Sequence, residues 1–207
     1  MKPLKYLFAI TILTCALTLS ASATFMVDTN PGGEKLFIDV ANKDVSHFEG
    51  FVGANNPSAP HVGIDTTGNV DTGSGFANIK PVKGGSLTEL VFTPENPDLF
   101  ADFSFRGQLE RDAGGTVTVM VEDNLGSTQT FTFTGLGANA DFARQGIISL
   151  DGETIQSVTL MSDFKEVKQI EFSLAGARVP DSGSTVMLLG VALGAAEVLR
   201  RFILKKR

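Results

Sequence analysis

From Leu36 to Leu174 the apolar residues of this chain recur at every second position, and no apolar stripe of helical spacing runs long enough in that stretch to make a useful helix. A period of two puts successive side chains on opposite faces of an extended chain, so each segment has one face to bury and one to leave wet. Leu36, Ile38 and Val40 alternate with Phe37 and Asp39, and Ala101, Phe103 and Phe105 alternate with Asp102, Ser104 and Arg106. Val117, Val119 and Val121 lead through Asp123-Asn124-Leu125-Gly126 into Thr130-Phe131-Thr132-Phe133-Thr134, the pattern of a hairpin with a short turn. Ile170, Phe172 and Leu174 alternate with Gln169, Glu171 and Ser173, and further strands are expected near residues 46–52, 75–80, 87–93, 145–150 and 155–161. About ten short strands with Gly, Asn, Asp and Pro between them predict an all-β body, a single antiparallel β-sandwich of jelly-roll-like type, with fibronectin-like and barrel forms as alternatives. The pattern argues against parallel α/β folds and their nucleotide-binding turns. Gly73-Ser74-Gly75 and Gly84-Gly85 lack both the lysine of a P-loop and a following helix, and are expected to be turns.

The body lies between two basic, apolar ends. Residues 1–23 carry Lys2 and Lys5 and no acid, residues 24–185 carry 10 basic and 22 acidic side chains, and residues 186–207 carry Arg200, Arg201, Lys205, Lys206 and Arg207 against Glu197 alone. The formal net charge of −6 is therefore a body at −12 offset by its flanks. A surface that acidic excludes a nucleic-acid partner, because affinity for phosphates rests on Lys and Arg. At the N-terminus, Lys2 and Lys5 precede the apolar run Leu7 to Leu19, and Ala21-Ser22-Ala23 places small residues at the two positions that a signal peptidase reads. That is the layout of a secretory signal peptide cleaved after Ala23, in preference to an uncleaved anchor or a lipoprotein signal on Cys15, where Thr14 is large for the preceding position. Cys15 is the chain's single cysteine and leaves with the signal, so the mature protein is expected to have no disulfide, thiol nucleophile or Cys-ligated zinc. The expected organisation is a signal peptide at 1–23, a β-sandwich body at 24–178 and a C-terminal segment at 179–207.

That last segment begins Val179-Pro180-Asp181-Ser182-Gly183-Ser184-Thr185 and continues with the apolar run Val186 to Ala196. The run reaches Leu204 if Glu197, Arg200 and Arg201 are tolerated, a marginal length for a helix that must cross a bilayer. Leu188, Leu189, Val191, Ala192 and Leu193 would be apolar all round such a helix, which disfavours docking on the body by one stripe. The terminal basic cluster would stay on the cytoplasmic side. Gly190 and Gly194 have helix-pairing spacing, which chance explains in a stretch so rich in Gly and Ala. This order of motif, apolar helix and Arg201-ended basic flank resembles the PEP-CTERM class of bacterial sorting signals, in the variant whose motif reads Val-Pro-Asp-Ser-Gly (VPDSG-CTERM). The resemblance implies export, transient retention in the inner membrane of a Gram-negative bacterium, and processing by an exosortase-type enzyme. It makes Val179, Pro180, Asp181, Ser182 and Gly183 recognition residues, and implies a place at the cell surface or in an extracellular matrix containing exopolysaccharide. Glu197 within the helix and Phe202-Ile203-Leu204 beyond the arginines depart from the pattern and bear on the membrane register.

Within the body the candidate chemistry is thin. His47 and His61 stand in no zinc-protease pattern, and solvent-facing or turn roles are the commoner ones for such residues. No Gly-x-Ser-x-Gly elbow occurs, and Asn56-Pro57-Ser58 is barred from N-glycosylation by its proline. Glu95 with Asp98, Asp102 with Glu110, and Glu122 with Asp123 are carboxylate pairs that a glycosidase could use, although 22 acids make close pairs inevitable and solvated surface is the expected role. Trp is absent and the single Tyr is Tyr6 in the signal, so the flat, polar-edged platforms of many sugar sites are missing. The loop Asp65-Thr66-Thr67-Gly68-Asn69-Val70-Asp71 offers oxygen ligands for calcium through Asp65, Asn69 and Asp71, and is equally an ordinary Asx-rich turn. No other cofactor is expected. The leading reading is an exported, non-enzymatic cell-surface or matrix protein. A carbohydrate- or calcium-dependent binding module and a small glycan hydrolase are the alternatives.

Overall fold

Strand β9 (Gly115–Asp123) shows the period of two at work: Val117, Val119 and Val121 are buried while Thr116, Thr118, Met120 and Glu122 between them keep part of their surface in solvent. A computed structural model describes residues 25–54, 58–110, 114–137, 142–150 and 152–175. In chain order its strands are β1 (Phe25–Asp28), β2 (Glu34–Ile38), β3 (Val45–Val52), β4 (His61–Thr72), β5 (Gly75–Phe76), β6 (Asn78–Pro81), β7 (Leu87–Pro94), β8 (Phe100–Leu109), β9, β10 (Thr128–Leu136), β11 (Gln145–Ser149) and β12 (Ile155–Leu174). Every pairing between them is antiparallel, and a single turn of 3-10 helix, Pro97–Leu99, is the one helical element among the described residues.

The body is an antiparallel β-sandwich, and its two layers are one hydrogen-bonded sheet folded over. The fold is made by β12, whose 20 residues change neighbours halfway. Ile155 to Met161 lie between β9 and β7. From Phe164 onward the same strand pairs with β8 on one side and with β6 and then β2 on the other. Strand β4 divides likewise, pairing through Val62–Thr66 with β7 and through Val70–Thr72 with β6. One layer is therefore β10-β9-β12-β7-β4-β3, the other is β1-β11-β8-β12-β6, and β2 joins them by pairing with both β12 and β3.

Between the layers lies a phenylalanine core. Phe92 of β7 meets Phe103 of β8 at 5.5 Å between ring centroids, and Phe172 of β12 lies 5.2 Å from both Phe100 and Phe103. Phe105 continues the row to Phe133 of β10 and to Phe142. Burying each such ring contributes roughly 1.5–3 kcal/mol, and tilted or edge-to-face pairs add about 0.5–1.5 kcal/mol each. A body without thiols is held by this core and its ladders.

Three local expectations change. Val40 does not continue the buried row of Leu36 and Ile38, because β2 ends at Ile38 and Val40 is 68% exposed. The strand expected at 75–80 is broken at Ala77, whose amide donates to the Leu36 carbonyl instead of to a ladder. Residues 65–71, expected as a loop, lie within β4, with Val62, Ile64, Val70 and Thr72 buried on one face and Asp65, Thr67 and Asn69 exposed on the other. The hairpin turn after β9 forms as expected: Gly126 takes a φ of +79°, and its amide donates to the Asp123 carbonyl.

Candidate functional site

The sorting-motif residues Val179, Pro180, Asp181, Ser182 and Gly183, the cleavage residues Ala21 and Ala23, and the basic pair Arg200 and Arg201 lie outside the described residues. Among the described residues no helix is long and apolar enough to cross a membrane. The remaining candidates belong to the body.

On β4, Asp65, Asn69 and Asp71 do not converge on a common point. Asp65 accepts from, or pairs with, the Nδ1 of His47 at 2.8 Å across the β3–β4 ladder. Asp71 accepts the Asp44 amide at 3.1 Å and the Lys43 ammonium at 3.2 Å, and Asn69 donates to the Asp44 carboxylate at 2.9 Å. The Asp44 amide first, and Lys43 second, hold the Asp71 carboxyl below its usual value. The ladder slips between Val45 and His47 while the facing strand runs from Asp65 to Val70, so Thr66 to Asn69 bulge away from the pairing. Two separate polar contacts result, one centred on His47 and one on Lys43. No group of three or more His, Cys, Asp or Glu able to hold a metal ion occurs among the described residues.

His61 opens β4 and faces two carboxylates, with Glu49 at 3.8 Å and Glu95 at 3.7 Å from its Nδ1, while its ring packs edge-on against Phe51 at 4.7 Å. The hydrolase pairs fare differently from their expected solvated roles. Asp102 and Asp123 are each only 1% exposed. Asp123 caps the hairpin turn by accepting from the amides of Leu125 and Ser127, both at 2.8 Å. Glu122 points to the opposite face of β9 and accepts from Ser157. Asp102 accepts the Ser149 amide of β11 at 3.1 Å, and Glu110 lies just past the far end of β8. The burial of Asp102 and Asp123 follows from capping and cross-strand bonds. Glu122 and Asp123 both border an open cavity of about 450 Å³, but from opposite faces of β9 and with Asp123 committed to the turn. Of the third pair, Glu95 faces His61, and the Asp98 side chain lies outside the described residues.

A groove that the sequence did not suggest lies on the outer face of the second layer. Its wall includes Lys35, Phe76, Asn78, Arg144, Lys168 and Gln169, around a cavity of about 340 Å³. The ladders place these residues: Lys35 faces Glu171, Asn78 faces Lys168, and Lys168 faces Arg106. Arg144, entering β11, forks onto both oxygens of Glu171, with Nη2 at 2.8 Å from Oε1 and Nη1 on Oε2. Gln169 takes a φ of +48° in a β-bulge of β12, and its side chain accepts from Arg106 at 3.0 Å. Residues 29–33 run across the face beside the groove: Pro31 sits over Gly146, Ser173 donates to the Gly32 carbonyl, and the closest heavy atoms to a Cβ at Gly33 would be Phe172 backbone at 3.1 Å. The signal that could have found the groove is weak, an aromatic residue directly behind the Gly73-Ser74-Gly75 turn.

Comparison with known proteins places one segment. Residues 178–201 match the family model described as the VPDSG-CTERM motif, so the C-terminal end is a sorting signal of the PEP-CTERM type. No curated protein matches the chain. Among solved structures, a family 11 carbohydrate-binding module from Clostridium thermocellum, in complex with a β-1,3-1,4-mixed-linked tetrasaccharide, is 14% identical, covering 69% of this chain and 96% of its own, with a TM-score of 0.30. A mutant of a family 29 carbohydrate-binding module is 11% identical, covering 73% of this chain and 92% of its own, also with a TM-score of 0.30. The all-β architecture of the body stands on the ladders described above, whatever these neighbours bind.

Proposed function

We propose that this chain is a non-enzymatic protein of the cell surface or extracellular matrix, exported through its N-terminal signal and processed at its VPDSG motif by an exosortase-type enzyme. The observation that carries the reading is the motif match at 178–201. In the sequence the motif is followed by an apolar run and a basic cluster. That order suits an export intermediate whose apolar segment stops in the inner membrane of a Gram-negative bacterium, with the basic residues inside and the acidic body outside. The thiol-free body supports the same reading, since packing and ladders that need no disulfide are independent of the redox state on either side of the membrane.

The test is the motif itself. Replacing Pro180 and Asp181 together by alanine in the producing cell should make the full-length, membrane-held form accumulate and deplete the surface form, read by fractionation and intact mass. A doubly substituted chain processed at the ordinary rate would refute the assignment.

A further inference from the structure

Five of the body's 10 basic side chains gather on one outer face, although the body as a whole is strongly acidic. They are Lys35, Lys80, Arg106, Arg144 and Lys168, brought together by the β2–β12, β6–β12 and β8–β12 ladders and the entry to β11. Carboxylates offset only part of this charge. Glu171, whose side chain is 6% exposed, is taken by Arg144. Glu166 is shared, with Lys80 at 3.5 Å from one oxygen and Lys168 at 3.6 Å from the other. Arg106 bonds to neutral oxygens, the Phe142 carbonyl and the Gln169 amide. Lys35 holds its ammonium 4.4 Å from the centroid of Phe76. Asp102, on the same outer face of β8, is no part of the groove wall. The groove and its margins thus carry a surplus of positive charge held in place by bonds to fixed neighbours.

Beside this charge stands an apolar platform. Phe76 leaves 55% of its surface in solvent, steadied by Phe37 at 4.9 Å between centroids. Asn78 and Gln169 add amide groups to the same wall. We propose that this groove binds a polysaccharide bearing carboxylate groups, of the uronic-acid type. Lys35, Lys168 and Arg106 would meet the carboxylates, Phe76 would meet the apolar face of a sugar ring, and the amides would serve its hydroxyls. The cavity is at the small end of ligand sites, which suits one or two rings of a chain that runs on across the face. Charge density favours this occupant over a nucleic acid. Duplex DNA carries a charge about every 1.7 Å and would press most of them against the acidic surroundings, whereas a uronate chain carries one carboxylate per sugar ring.

The inference deepens the surface reading above but does not depend on processing, so its test reads binding alone. Full-length chain in a mild non-ionic detergent is titrated with alginate oligomers, with neutral dextran and with single-stranded DNA, at low and high salt. Alginate should bind, weaken on raising the salt, and outcompete both other polymers. Lys35→Glu should weaken alginate binding on the order of tenfold and Phe76→Ala on the order of fivefold. Melting temperatures should stay within a few degrees of the parent, since both side chains are largely exposed and give up only the Phe37 and Lys35–Phe76 surface contacts. Lys83→Glu, in the turn after β6 and outside the groove wall, should bind like the parent. Absence of alginate binding, parental affinity in the Lys35 or Phe76 variant, or DNA binding as tight as alginate would each overturn the proposal. A chain that fails here while still being processed at its motif would sink the ligand and leave the sorting reading standing.

Discussion

Truncating Arg144 to methionine should leave Glu171 as a carboxylate with 6% of its side chain exposed and no guanidinium opposite it. The pair is bidentate and closes one wall of the outer groove, with Glu171 held between β8 and β2 in the ladder. Breaking a buried pair by removing one partner costs about 3–5 kcal/mol, because the survivor keeps its desolvation penalty and loses its compensation. Arg144 keeps 24% of its side chain in solvent, so water can reach part of the vacated space, and we expect about 3 kcal/mol. For a body of this size that corresponds to a melting temperature lower by roughly 6–12 °C. Replacing both partners, Arg144→Met with Glu171→Leu, removes the orphaned charge and should return stability to within about 1 kcal/mol of the parent.

The assay is urea unfolding of the full chain and its variants, with the coupling taken from the complete double-mutant cycle. If Arg144→Met alone lies within about 1 kcal/mol of the parent, or if the double variant is no more stable than the single one, the burial argument fails. Such a result would mean that Glu171 finds water or another cation when Arg144 leaves.

Two further outcomes follow from particular contacts. At Gly107, a Cβ would collide with the backbone carbonyl oxygen of Glu166 on the neighbouring strand and touch the Phe142 ring at 3.4 Å. A backbone atom cannot swing aside, so Gly107→Ala should lower stability by about 2–3 kcal/mol, seen as an earlier thermal transition; an unchanged transition would refute the close approach. Asp71 has a lowered folded pKa, so its contribution to stability is complete above its ordinary value of 3.8 and is lost as the pH falls through the folded value. The melting difference between the parent and Asp71→Asn should therefore be present at pH 7 and close below pH 3.8, and a difference that grows on acidification would show the sign to be wrong.

The strands were legible because burial on one face of an extended chain leaves a period of two in the sequence. The two segments foreseen at 155–161 and around Gln169 to Leu174 are one strand, and the polar stretch Ser162-Asp163 between them marks where β12 passes from one layer to the other. Residues 65–71 misled because Thr66 and Gly68 occupy the inward positions of β4 between Ile64 and Val70, interrupting the apolar row with residues typical of turns. Pairing at its two ends, Asp65 with β3 and β7 and Val70 with β3 and β6, keeps the stretch within one strand while Thr67 to Asn69 bulge between them. The groove was illegible for a different reason. Its members are dispersed from Lys35 to Lys168, and only the order of strands in the second layer makes neighbours of them.

That order also gives the body's acidity a use beyond solubility. Residues 24–185 carry 22 carboxylates against 10 cations, so a polyanion approaching the body meets repulsion from most sides, and attraction where five of those cations share the outer face of β12 and its neighbours. Repulsion from wrong approaches sharpens specificity as effectively as attraction to the right one, and within a Debye length of about 8 Å at physiological salt it acts locally, face by face. On the proposed reading, an acidic polysaccharide can be held in one orientation without a deep cleft, because the rest of the molecule declines it. The same contrast explains how a net charge that argues against nucleic acid leaves room for a polyanion of lower charge density. A sum over the body hides a face on which half of its cations gather, and that gathering is a property of the strand order, not of the composition.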